Sequence, residues 1–205
     1  MRVAILGGTF DPVHNGHIVA ARSVAQAFDT HEVRFVPAYA APHKPSDHTT
    51  SAFHRFAMVA LAIAPYGDFR VSPIEVDSLE KRYTVDTIAQ MRESTPDAQF
   101  VFVMGTDMYR DFELWKDYRR LFTLTHIAVV NRPGFEFRTD LAAHRVVNAG
   151  ETVALPTGPS VFYLPFVDEP VSSTALRDAL RQSADVRQLI PDAVGNYIRA
   201  HNLYS

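Results

Sequence analysis

Short apolar, β-branched or aromatic runs alternate with longer stretches of helical period along this chain, and that alternation limits the fold more than any other feature. It predicts βαβ units around a mostly parallel sheet. Strands are expected near Val3–Leu6, Glu32–Val36, Phe69–Val76, Gln99–Val103, His126–Val130 and Val161–Pro165. Between them, Ile18-Val19-Ala20 with Val24-Ala25-Phe28, and Phe56-Ala57 with Val59-Ala60-Ile63-Ala64, repeat apolar residues at the spacing of a buried helix face. Asp107–Phe122 and Thr174–Leu180 read likewise, and Ile190-Pro191 opens a terminal helix with Pro191 at its first position. The stretch Asn131–Gly158, punctuated by Pro133-Gly134 and Gly158-Pro159, shows little period and reads as irregular connection. No internal repeat is visible. The expected fold class is α/β: a Rossmann-like, doubly wound sheet with helices on both faces, in one domain over 1–205 with a small helical C-terminal part from about 172 to 205.

Composition narrows the function. A formal net charge of -3 and a pI near 6.3 give no whole-chain basic field, so neither a nucleic acid nor an anionic membrane is an expected partner. Any anionic ligand has to be gripped locally. With no cysteine, disulfides, thiolate nucleophiles and cysteine metal sites drop out, which fits a cytoplasmic protein. The apolar run Val3-Ala4-Ile5-Leu6 is too short for a signal-peptide core or a membrane span. His43, His48 and His54 lack carboxylates at ligand spacing, so no protein-held metal is expected. A homo-oligomer stays open.

The densest chemistry lies where the first strand runs into the first helix, through Gly7-Gly8-Thr9-Phe10-Asp11-Pro12-Val13-His14-Asn15-Gly16-His17. In a doubly wound sheet ligands bind beyond the carboxyl ends of the strands, where strand order reverses. Gly7 and Gly8 let backbone approach a phosphate, and the helix start aims free N–H groups at the same volume. His14 and His17, three apart, can both face it. The loop is neither a Walker A sequence nor G-x-G-x-x-G.

It resembles instead the T/S-F-D-P-x-H-x-G-H signature of the nucleotidyltransferase superfamily, without a gap from Thr9 to His17. The resemblance implies that both histidines contact ATP phosphates, with His17 stabilising the charge on the transferred phosphoryl group, and that Gly7, Gly8, Thr9 and Phe10 belong to the ATP site. Val171-Ser172-Ser173-Thr174-Ala175-Leu176-Arg177 is similar to the I-S-S-T-x-x-R motif of the same superfamily, with Val171 for Ile. There the hydroxyls and the Arg hold β- and γ-phosphates, which implies ATP contacts for Ser172, Ser173, Thr174 and Arg177. Read locally, Ser172 or Ser173 caps a helix.

Three middle segments point to the nicotinate mononucleotide adenylyltransferases. Gly105, Asp107, Phe112 and Trp115 match G-x-D-x(4)-F-x-x-W, in which the Asp takes the adenosine ribose and the Trp stacks on a pyridine ring. Asp107 also suits a helix N-cap. Tyr83-Thr84-Val85-Asp86-Thr87 resembles S-Y-T-x-D-T, with Arg82 in place of the small residue, and implies that Tyr83 and Thr84 bind the nicotinate substrate; Thr84 also suits an N-cap. Arg132-Pro133-Gly134 matches S-R-P-G with Asn131 for Ser, and sets Arg132 near adenine or phosphate. Lys44, in the Pro-rich stretch Ala38–Thr50 that is the expected mobile loop, is a candidate phosphate contact for the substrate.

The implied reaction joins the adenylyl group of ATP to nicotinate mononucleotide, with Mg²⁺ on the pyrophosphate side. A phosphate attacks, already anionic at neutral pH, so no general base is required. The alternatives are transfer to nicotinamide mononucleotide, phosphopantetheine or glycerol phosphate, and a non-catalytic nucleotide-binding module.

Overall fold

A computed structural model describes residues 1–40, 49–168 and 170–204. The expectations for Lys44, for His43 and His48 and for most of the Ala38–Thr50 loop lie outside these residues. Among the described residues seven strands form one sheet in the order β3-β2-β1-β4-β5-β7-β6, every neighbouring pair parallel. They are β1 (Arg2–Gly8), β2 (Glu32–Pro37), β3 (Phe69–Val71), β4 (Gln99–Gly105), β5 (His126–Val130), β6 (His144–Val146) and β7 (Val161–Leu164). The helices are α1 (Asn15–Phe28), α2 (Ala52–Ile63), α3 (Thr84–Ser94), α4 (Thr106–Arg110), α5 (Tyr118–Leu124), α6 (Ser173–Arg181) and α7 (Asp192–Ala200). None of the described helices is long and apolar enough to cross a membrane.

A parallel sheet covered on both faces needs apolar residues at every strand position, and the central strands supply them. On β1, Val3 and Ile5 enter one apolar cluster while Ala4 and Leu6 enter the other; on β4, Phe100, Phe102 and Met104 oppose Val101 and Val103 in the same way. One cluster takes in Ile88 and Met91 of α3 and Leu121 of α5. The other takes in Ile18, Val24 and Phe28 of α1, Met58 and Val59 of α2, and Val194 and Ile198 of α7. The doubly wound expectation thus holds, and strand order reverses between β1 and β4, whose ladder ends at the pair Leu6 and Val103.

Four local expectations are corrected. β3 stops at Val71 because the rung after Ser72 N–H to the Phe35 carbonyl would need a donor from Pro37 of β2, which has none, and 74–79 turns away. β6 lies inside the stretch read as irregular; three edge residues are too few to print a period. The segment 107–122 is not one helix but α4, a 3₁₀ turn at Phe112–Leu114 and α5, broken where Trp115 is extended and Asp117 is left-handed (φ 48°). Three caps are displaced: Tyr83 rather than Thr84 precedes α3, Gly105 rather than Asp107 precedes α4, and Pro191 stands just before α7 rather than in it.

Candidate active site

At the switch point the sheet opens into a cavity of about 540 Å³, lined from β1, α1, β4, α3 and the segment before α6. Its floor is the loop from β1 to α1. A Cβ on Gly8 would stand 3.1 Å from the Phe10 ring, so this position takes no side chain without moving that ring. Phe10 is 2% exposed and has left-handed backbone (φ 51°), and its ring meets His17 edge-on at 4.9 Å. His14 is the N-cap of α1, and His17 sits one turn in. The two imidazoles stack at 3.7 Å, and the His14 amide donates to Nδ1 of His17 at 3.2 Å. Because Nδ1 accepts, the proton of a neutral His17 is on Nε2, and that N–H is left for the cavity.

Both rings are neutral. Burial, reinforced by the Arg132 guanidinium, lowers the His14 pKa to about 3. Burial also holds His17 well below the ordinary value, with His14 and Arg132 adding to the effect. His14 Nδ1 is buried without a hydrogen-bond partner, an unmet polar atom beside the cavity.

β4 delivers the second group. A Cβ on Gly105 would be 2.4 Å from Oδ1 of Asp107, so glycine there lets the carboxylate fold back over the strand end. Asp107 Oδ2 pairs with Nε of Arg132 at 3.3 Å, while Oδ1 is buried and unpartnered. Arg132 is itself fixed through its backbone, whose N–H donates to Thr106 Oγ1 at 3.0 Å. A smaller recess of about 340 Å³ adjoins this pair, between Pro133, Phe135, Pro170 and Ser172.

The third group arrives with α6. Ser172 is its N-cap, accepting from the Ala175 amide at 3.2 Å. Ser173 Oγ donates to the Pro12 carbonyl at 3.0 Å, and Arg177 donates to the Asp11 carbonyl at 2.8 Å and to Thr174 Oγ1 at 3.4 Å. The start of α6 is thereby docked on the loop that carries the histidines.

At the other end the cavity is aromatic and carries charge. Trp115 stands edge-on to Phe112 at 5.4 Å and to Phe102 at 6.2 Å. Beside it, the Lys116 ammonium lies 4.8 Å over the Tyr83 ring and 3.0 Å from Asp86. Glu75 is buried there, hydrogen-bonded by Thr87 Oγ1 at 2.7 Å, and burial raises its pKa despite that bond and the nearby Arg82.

A site with phosphate-type donors at one end and an aromatic platform at the other asks for a nucleotide and a second ringed substrate. Comparison with known proteins decides which class it is. The cytidylyltransferase-like family model matches residues 5–179. A "Probable nicotinate-nucleotide adenylyltransferase" of Frankia casuarinae is 40% identical over 199 residues, covering 97% of this chain and 98% of the relative. One of the same name from Geobacter metallireducens is 36% identical over 214 residues, covering 100% and 99%. The chain belongs to the nicotinate-nucleotide adenylyltransferase family. A solved structure with the same fold is the Plasmodium falciparum nicotinic acid mononucleotide adenylyltransferase complexed with NaAD, at a TM-score of 0.78 and 21% identity, covering 99% of this chain and 97% of that one.

As a member of the nicotinate-nucleotide adenylyltransferases, the chain brings most of its expected site residues to one cavity. Gly7, Gly8, Thr9, Phe10, His14, His17, Tyr83, Thr84, Gly105, Asp107, Trp115, Arg132, Ser172, Ser173 and Thr174 all line it. Arg177 does not; its guanidinium is turned to the Asp11 carbonyl behind the loop. Lys44 lies outside the described residues. The cavity also includes Glu75, Thr87 and Lys116, which sequence reasoning missed. Glu75 follows the broken end of β3 and carries no periodic signal, whereas Lys116 could have been found as the neighbour of Trp115.

Proposed function

We propose that this chain joins the adenylyl group of ATP to nicotinate mononucleotide, giving nicotinate adenine dinucleotide and pyrophosphate for NAD biosynthesis. The observation that carries the reading is the stacked, neutral pair His14–His17 at the start of α1, opening into a cavity whose far end is Trp115. ATP lies with its phosphates on His14, His17 and the Ser172 and Thr174 hydroxyls, and with its ribose toward Asp107, whose Oδ1 is buried without a partner. Nicotinate mononucleotide places its ring on Trp115 and its carboxylate toward Thr84 and Tyr83. Lys116, paired with Asp86, and Arg82, near Glu75, also line that end.

Transfer is in line at the α-phosphorus: an oxygen of the mononucleotide phosphate forms the new bond as the bond to pyrophosphate breaks. The chain supplies position and donors rather than a base. His17 Nε2–H, held by the His14 amide on its other nitrogen, meets the charge developing on the phosphoryl oxygens without having to take up a proton. Arg132 and the positive end of α1 draw the polyphosphate to the same spot.

Magnesium fits this site as an ion carried by the nucleotide. Among the described residues no three histidine or acidic side chains gather to cage a metal, while Ser172 and Thr174 present hydroxyls at the phosphate end. Bound there, the ion would neutralise charge on the pyrophosphate. The cysteine-free composition supports a cytoplasmic setting.

The test is pyrophosphate release with ATP and Mg²⁺, offering nicotinate and nicotinamide mononucleotide separately. The acid is expected to be strongly preferred, and His17→Ala is expected to lower kcat by about 10²–10³. Release with the amide alone would reassign the acceptor; release with neither would leave another phosphorylated acceptor or a nucleotide-binding module.

A further inference from the structure

The loop that bears the histidines is gripped from behind by two residues that the site does not use. Arg55, on α2, is 1% exposed and directs its guanidinium at three main-chain carbonyls: Thr9 at 2.6 Å, Thr50 at 2.8 Å and Tyr39 at 2.9 Å. Burying a guanidinium is costly even when its donors are satisfied, so such a group is a weak source of net stability and a strong geometric constraint. Two residues after Thr9, the Asp11 carboxylate, 3% exposed, accepts the Tyr204 phenol at 2.6 Å and the Thr50 amide at 3.4 Å. Tyr204 lies beyond α7, and neither it nor Arg55 lines the cavity.

Phe10 lies between these two anchored positions. A bulky residue in left-handed backbone relaxes unless its surroundings over-determine it. Here the carbonyl before it is fixed by Arg55, and the residue after it by Tyr204 and, through its carbonyl, by Arg177. The Phe10 ring is thereby set against Gly8 on one side and edge-on to His17 on the other. That ring contact, the stacked His14 ring and the His14 amide restrain the imidazole from within the loop.

We propose that Arg55 and Tyr204 are positioning residues for His17, acting through the left-handed Phe10. They hold the main chain at Thr9 and Asp11, Phe10 keeps its conformation, and its ring keeps Nδ1 of His17 on the His14 amide with Nε2–H toward the cavity. This rests on the reading of His17 as the donor to the transferred phosphoryl group. Substrates do not touch either residue, so the effect falls on kcat rather than on KM.

Tyr204→Phe removes one oxygen and leaves the ring in place; Arg55→Lys keeps the charge and gives up the fork that spans three carbonyls. Steady-state kinetics and the ¹⁵N signals of the His17 ring in the free protein are measured for both. Expected are a fall in kcat of about tenfold for Tyr204→Phe, with both KM values within about twofold, and a larger fall for Arg55→Lys. The His17 ring, a single Nε2–H tautomer in the parent, should move toward a mixture of tautomers. Val153→Ala, 1% exposed in the same apolar cluster and hydrogen-bonded to Ala27 rather than to the loop, lowers stability without touching the loop and should leave kcat and ring signals unchanged. Unchanged kcat or unchanged ring signals in Tyr204→Phe overturn the proposal, as does Val153→Ala reproducing both changes. Should Arg55→Lys fail to fold, Tyr204→Phe decides alone. If the parent releases no pyrophosphate, the functional reading falls, and the ring signals still test the positioning.

Discussion

His14 and His17 are kept neutral by burial, and that has a measurable effect on folding. For His14 the folded pKa is lowered to about 3 from 6.5, so the unfolded chain takes up a proton first as pH falls. The stability tied to the neutral ring is therefore whole above 6.5 and is lost progressively between 6.5 and 3. The loss approaches about 1.4 kcal/mol per pH unit for this residue alone. His17 shifts in the same direction and adds to it. Urea unfolding at pH 7 and at pH 4.5 should show a drop in the parent that is smaller in His14→Gln; equal drops would mean that His14 is protonated in the folded protein.

At the scale of elements, the start of α6 does two things with few atoms. Ser172 caps the helix, and Ser173 and Arg177 tie its first turn to Pro12 and Asp11. The strongly amphipathic α6 buries only Leu176 fully, so the cap and these ties matter more than they would in a helix such as α1, with seven buried residues. Ser172→Ala should cost about 1 kcal/mol. In a chain of 205 residues that is a fall in Tm of about 2–4 °C. Because Ser172 also lines the cavity, KM for ATP should rise in the same variant. Calorimetry and kinetics separate the two effects: a lowered Tm with unchanged KM would leave Ser172 a cap only.

For the whole molecule, the nucleotide would bridge parts that the sheet alone does not join. One cavity collects residues from β1, α1, α3, β4, the turn after β5 and the segment before α6. A ligand held by all of them binds only the folded chain. ATP at one hundred times its Kd should therefore add about 2.7 kcal/mol to stability. The corresponding rise in Tm is about 5–10 °C, and a thermal-shift titration reads it directly. No rise with ATP would mean that the folded chain does not bind the nucleotide.

Sequence alone determined the βαβ order and the central strands, because strands buried on both faces must be apolar at every position and β1, β4 and β5 are nearly so. It also determined the histidine loop, since a phosphate-binding turn between a strand and a helix is contiguous in the chain. Local pattern failed where packing set the outcome. The segment 106–124 has helical composition, but Trp115 and Phe112 pack as an aromatic cluster that breaks it into three short pieces. β6 exists only because β7 offers it an edge. Tertiary structure alone decided that Glu75 enters the cavity and that Arg177 turns away from it. It also decided that Thr9 is held from 46 residues away and Asp11 from 193 residues away. Contacts of that span have no period and no local propensity, and they arise only when the sheet has brought both ends of the chain to the carboxyl end of β1.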